Sequence, residues 1–177
     1  MTLRPWFYSL ILAALALGCG RVSDQQARTL VGRYNEVVSE AYRKNDILLI
    51  DAVVGPNAPD GRRLTGLIGV HADMGIALDA HLESFEVTGV EQAGGDLRVR
   101  TREQWRYRDL RTGTGEQVGE ASVDRYEMTY HFRKLKGAWM VEEIAFAAPP
   151  QVGRKEVPWT MDAKDAHSIV TPPLGKP

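Results

Sequence analysis

Between Leu97 and Arg108 the chain alternates without a break. Leu97, Val99, Thr101, Glu103, Trp105 and Tyr107 take one parity; Arg98, Arg100, Arg102, Gln104, Arg106 and Arg108 take the other. Successive side chains of a strand point to opposite faces, so a period of two predicts an extended strand with one face in a core and the other in water. A sheet that is wet on one side is antiparallel, and helices cover its other face. The flanking sequence extends the pattern. Leu82 to Gln92 reads as a strand before it, with Ala93 to Asp96 as the turn. After a Gly- and Thr-rich loop at 110–119, a third strand puts Tyr126, Met128, Tyr130 and Phe132 inward and Arg125, Glu127, Thr129, His131 and Arg133 outward. Lys136 and Gly137 then turn the chain into a fourth strand, Trp139 to Phe146.

Upstream the period is helical. Ser23 followed three residues later by Gln26 predicts a capping box, and Ala27, Leu30, Val31, Tyr34, Val37, Val38 and Ala41 share one face of the helix it starts. Ile47 to Val54 reads as a short second helix, ended by the Gly- and Pro-rich segment 55–61. Leu64, Leu67, Ile68, His71, Met74 and Leu78 predict a third helix to about Ala80, weakened by Gly66, Gly69 and Gly75 at about 1 kcal/mol each. The expectation is an α+β fold of three N-terminal helices packed on one face of an antiparallel sheet of about four strands.

The N-terminus has the layout of an export signal. One basic residue, Arg4, precedes an apolar run from Trp6 to Leu17 that is too short to span a bilayer. The run closes on Ala16-Leu17-Gly18-Cys19-Gly20, which resembles the lipobox of bacterial lipoproteins. That resemblance implies cleavage after residue 18 and acylation of Cys19, with Gly20 in place of Asp pointing to the periplasmic face of the outer membrane. Cys19 is the single cysteine of the chain, so an internal disulfide is excluded. Plain secretory cleavage near Gly18, or a buried thiol, is the other reading. Residues 19–22 then form a short tether and residues 23–148 one domain. Residues 149–177 read as a Pro-rich flexible tail in which Val157, Trp159 and Met161 either lie idle or dock. Arg4 is the one charged residue among the first eighteen, so the remainder is one unit more negative than the whole chain's −1. That balance does not suggest a nucleic-acid partner.

Glu103, Trp105 and Tyr107 on one strand, Tyr126 and Tyr130 on the next, and Gly137 with Trp139 at the last turn resemble the nuclear-transport-factor-2-like superfamily. Within it, the likeness is to the domain of plastid-division scaffold proteins and their cyanobacterial relatives. The resemblance covers about residues 24–147 and implies a cone-shaped domain, a curved sheet wrapped on the three helices, with an internal pocket or groove. Members include isomerases, dehydratases, transport factors and scaffolds, so it does not fix a function.

The residues leave several roles open. Arg98, Arg100, Arg102, Arg106 and Arg108 form either a binding face for an anionic partner or a solvated face paired across strands with Glu120, Asp124 and Glu127. Glu103 on the apolar parity, with Glu143 opposite, is the candidate acid or base; the alternative is a rim carboxylate tied to an Arg or a backbone donor. Tyr34 and the pocket candidates Trp105, Tyr107, Tyr126, Tyr130 and Trp139 are either core or the lining of a site for a small apolar ligand. His71 and Asp73, two apart on a helix, cannot form a dyad, and His81, His131 and His167 are isolated, so no metal or other cofactor is expected. The expectation is a membrane-anchored envelope lipoprotein acting as a non-catalytic binding or scaffold module. Its partners are the bilayer through Cys19, an envelope protein or small apolar ligand, and a second copy in a homodimer. The alternative is a small-molecule-binding, hydrolase- or isomerase-like protein using the cone interior.

Overall fold

Helix α1, Asp24–Lys44, opens the computed structural model, which describes residues 21–146. The signal segment 1–18, Cys19 and the tail 149–177 lie outside the described residues. Both halves of the expected capping box are present: Ser23 Oγ accepts from the Gln26 amide at 3.2 Å, and Gln26 Oε1 accepts from the Ser23 amide at 2.9 Å. The helix ends at Asn45, in the left-handed region at φ 52°. Ala27, Val31, Tyr34, Val38 and Ala41 bury its inner face.

The second and third helices differ from expectation at their ends. Ile47–Ala52 is a six-residue 3₁₀ helix, capped by Asp46 accepting from the Leu48 amide at 3.0 Å. The Gly- and Pro-rich segment does not run to residue 61. Pro59 is the first residue of α2, Pro59–Asp73, where its fixed φ is preorganised for a helix and its missing N–H costs nothing. Nor does α2 reach residue 80: Gly75 takes φ +67° and the chain turns into β1, Ile76–Ala93. Leu78 and Ala80 are buried, as a helical pattern required, but from a strand.

β1 is followed by β2, Asp96–Arg111, β3, Gln117–Leu135, and β4, Ala138–Phe146, in an antiparallel meander of order β1-β2-β3-β4. The expected loop at 110–119 shrinks to residues 112–116. The last turn carries Lys136 at φ 49° and Gly137 at φ 89°, two consecutive positive values that suit a two-residue hairpin between twisted strands. On β2 the inward set is buried and the arginines are exposed, as the alternation demands. Breaks in register at Leu82/Ser84, Val87/Gly89, Tyr107/Asp109 and His131/Phe132 bend the strands and let the sheet wrap on the helices. The outer edge of β4 is partly covered, because the Gly55 amide donates to Val141 O and the Val141 amide to Val53 O, each at 2.8 Å.

Candidate functional site

The concave face of the sheet and the inner face of α1 bring most of the candidate residues into one buried polar cluster. Glu103, 3% exposed, is its hub. Its Oε1 accepts from Thr101 Oγ1 and from the Tyr130 hydroxyl, both at 2.8 Å. Its Oε2 accepts from Trp105 Nε1 at 2.8 Å and from Asn35 Nδ2 at 3.4 Å. Two carboxylate oxygens offer about four acceptor sites, and four donors occupy them. Glu103 is therefore an interior carboxylate satisfied by side chains, and among the described residues no Arg or backbone donor holds it at a rim.

Two further polar sets flank the hub. Tyr34, whose ring meets Tyr130 edge-on at 5.5 Å, donates to Asp60 Oδ2 at 2.5 Å, and Arg63 Nε donates to Asp60 Oδ1 at 3.0 Å. Asp60 is 2% exposed, so this ion pair is an interior one. Burial alone would lower the Arg63 pKa, but the Asp60 carboxylate and then Tyr34 more than offset it and hold the guanidinium charged. On the other flank the Tyr126 hydroxyl donates to Asp124 Oδ2 at 3.3 Å, and Trp105 stacks on Tyr107 at 6.0 Å. Three phenols are pushed well above their ordinary range. Burial is the first cause in each, followed by Asp60 for Tyr34, Tyr126 for Tyr107 and Glu103 for Tyr130.

Between these groups about 50 Å³ remains empty, walled chiefly by Tyr34, Trp105, Tyr107, Tyr126, Met128 and Tyr130. Such a space suits ordered water; pockets for drug-sized ligands run to roughly 300–1,000 Å³. Trp139 is not among the lining residues. It packs against the edge of the core near the tip of the β3–β4 hairpin, with Lys134 Nζ 5.8 Å from its ring centre. Glu143 does not face Glu103: the irregularity between His131 and Phe132 leaves it exposed and in register with His131. Two wider depressions lie outside the cone, one of about 550 Å³ beside α2 and one of about 580 Å³ around Arg98, His131 and Arg133.

The arginine row lies on the exposed convex face, and most of it is answered by acids. Arg100 meets Glu91 at 2.7 Å, Arg102 meets Glu127 at 3.2 Å, Arg106 Nε meets Glu83 at 2.7 Å, and Arg108 Nε meets Asp79 at 2.9 Å. Glu83 has a lowered pKa, first because Gln104 donates to it and then because Arg106 does. Among the described residues Arg98 alone of the five has no carboxylate within salt-bridge distance. Of the acids expected to pair with the row, Glu127 does so, whereas Asp124 is buried on the opposite face. Interspersed signs make this a mosaic and not a basic field. Among the described residues no three His, Cys, Asp or Glu side chains converge as metal ligands.

Sequence reasoning missed Asn35, Asp60 and Arg63. Asn35 carried a signal, since it falls among Val31, Tyr34 and Val38 on the apolar face of α1, where a polar residue needs an interior partner.

Three helices against a four-stranded antiparallel meander, curved into a cone around aromatic side chains, constitute the nuclear-transport-factor-2-like fold. The intermembrane-space region of the chloroplast protein ARC6 matches at a TM-score of 0.63 and 17% identity, over 73% of this chain and 99% of that one. A nuclear-transport-factor-2-like protein of Salmonella enterica gives 0.48 at 13% identity, over 73% and 93% of the two chains. A protein of Planctomyces limnophilus gives 0.47 at 13%, over 69% and 98%. No family model and no curated sequence matches the chain. At these identities the likeness is one of fold.

Proposed function

We propose that this chain is an exported, lipid-anchored envelope protein whose domain recognises a partner through its outer surface and performs no chemistry in its interior. The observation that carries this reading is the closed hub. A general base needs a lone pair free for the substrate proton and room for the substrate, whereas the Glu103 oxygens already accept from Thr101, Tyr130, Trp105 and Asn35 beside a space of about 50 Å³. The wider depressions are external, where a protein surface or peptide can reach them.

Anchoring rests on Cys19 directly after the apolar run. Two or three acyl chains at about 0.8 kcal/mol per buried methylene hold a protein almost permanently. No described helix is long and apolar enough to cross a membrane, so attachment on this reading falls to the lipid. The domain would then work on the periplasmic face of the outer membrane.

Native mass spectrometry of the full chain, extracted gently from its own membrane, tests both parts. The expected result is an N-terminal Cys19 carrying acyl mass and protein subunits that co-elute with the domain. A small molecule retained in stoichiometric amount would overturn the binding-module reading and return attention to the cone interior.

A further inference from the structure

The N-terminus enters the domain at a defined level of the sheet. Gln92, Leu97, Phe132 and Val141 form one row across the four strands, and the Val22 amide donates to Gln92 Oε1 at 2.7 Å. Among the strands described, two hairpin tips continue beyond this row, and they are tied together by the Lys134 amide donating to Gly95 O at 2.9 Å. The β3–β4 tip projects three more paired residues, from Arg133 to Leu135, or about 10 Å. Cys19 lies three residues before Val22 and has a reach of about 10 Å. Overhang and tether match in length, so a lipid attached at Cys19 has the reach to enter the surface on which the hairpin tips would rest.

The chemistry of that end suits headgroups. Arg21, Lys134 and Lys136 are exposed, and none has a carboxylate within salt-bridge distance among the described residues. Two of the acids there share Arg133, Asp96 at 3.6 Å and Glu142 at 3.7 Å, while Glu143, exposed beside His131, lies behind the Phe132–Val141 level, away from the tip. Trp139 is half-buried, with one side packed on the edge of the core and Lys134 Nζ 5.8 Å from its ring centre, and tryptophan is enriched where protein meets the membrane–water boundary. We propose that the tip of the β3–β4 hairpin, with Lys134, Lys136 and Trp139, is a lipid-facing edge that rests on anionic headgroups. Its orientation draws on the anchoring reading; its charge and its indole do not.

The test is fluorescence quenching on the full chain, extracted from its membrane and reconstituted into vesicles whose acyl chains are brominated near the headgroup. One set of vesicles contains roughly a third phosphatidylglycerol and the other is pure phosphatidylcholine. In anionic vesicles Trp139 is quenched, and the quenched component disappears in Trp139→Phe. Each lysine near a charged surface supports about a fivefold preference, so Lys134→Gln with Lys136→Gln lowers the docked-to-undocked ratio by about thirty-fold, with thermal unfolding unchanged. High salt has the same effect. The proposal is overturned if Trp139→Phe removes no quenching, or if quenching is equal in neutral vesicles and indifferent to the double substitution. Flotation separates the two readings. A chain that floats with both vesicle types while Trp139 stays unquenched keeps its anchor and loses this edge. A chain that floats with anionic vesicles alone, and is released by high salt or by the double lysine substitution, has no anchor but keeps the edge; a chain that floats with neither has lost both, and the proposal falls.

Discussion

Replacing Glu103 separates a structural hub from a catalytic carboxylate, because the two respond with opposite signs. In Glu103→Gln the amide keeps the shape. Its oxygen can accept from Trp105 Nε1 and Asn35 Nδ2, and its nitrogen can donate to the Thr101 and Tyr130 hydroxyls, which rotate to accept. The Tyr130 proton then goes to Asn35 Oδ1, already 3.0 Å away. What is lost is charge assistance, the difference between about 1.5–3 and about 0.5–1.5 kcal/mol per bond. Part of that loss is recovered because an uncharged group costs less to bury, leaving a net destabilisation of about 1–2 kcal/mol. In Glu103→Leu all four donors lose their acceptor. The hydroxyl of Tyr130 can turn to Asn35, and the nearby space can admit water to another donor. At least two buried donors stay unpaired at about 1–3 kcal/mol each, so about 3–5 kcal/mol is expected. Equilibrium urea unfolding of the full chain, with the slope m held constant across variants, reads both values. Catalytic groups are commonly held against the stability of the fold. A Gln variant as stable as the parent or more so, or a Leu variant no worse than the Gln variant, would refute the hub.

The same interior fixes an alkaline limit. The pKa values of Tyr34, Tyr107 and Tyr130 are raised in the folded state, so the stability they contribute is complete below about pH 10, the unfolded value. It is lost as pH climbs toward the folded values; ultraviolet titration should show these phenolates appearing together with loss of circular dichroism, and a separate earlier step for them would contradict the burial argument. Ser23→Ala removes the N-cap of α1 and should cost about 1 kcal/mol in chemical denaturation, with Ser23→Thr recovering most of it. Arg102→Gln breaks an exposed pair with Glu127 and should change stability by no more than about 0.5 kcal/mol; a larger loss would mean the mosaic is a coupled network. If Cys19 carries the proposed anchor, Cys19→Ala releases the chain from the membrane fraction in flotation, and retention of the variant would refute the anchor.

How far the fold could be read depended on whether a residue's partner lay on the same element. The alternation of β2 and the Ser23–Gln26 box are local, and both stand in the structure as the sequence states them. The ends of α2 were illegible because Pro59 and Gly75 serve equally as loop residues and as helix boundaries, and because Leu78 and Ala80 fit either period. Alternation puts Glu143 on the wrong face for a related reason. An irregularity of register is a relation between two strands, and a one-residue shift turns every later side chain over.

The hub shows where such reading stops. Alternation places Glu103 inside, and an interior carboxylate invites a catalytic reading because burial without a partner raises its pKa. The decisive facts are the distances to Asn35 on α1 and Tyr130 on β3, separated from Glu103 by 68 and 27 residues. No pattern within β2 reports them. The same inward glutamate serves a proton transfer when its helix supplies a space and serves cohesion when its helix supplies an amide. With Asn35 in place its amide occupies Oε2, the arrangement on which the proposed non-catalytic reading rests, and Asn35→Ala would free one acceptor site there. It should lower stability by about 1–3 kcal/mol and admit water to the cluster, measurable as faster hydrogen exchange at the Trp105 indole. Unchanged exchange would mean that Tyr34 and Tyr130, not Asn35, keep the interior closed.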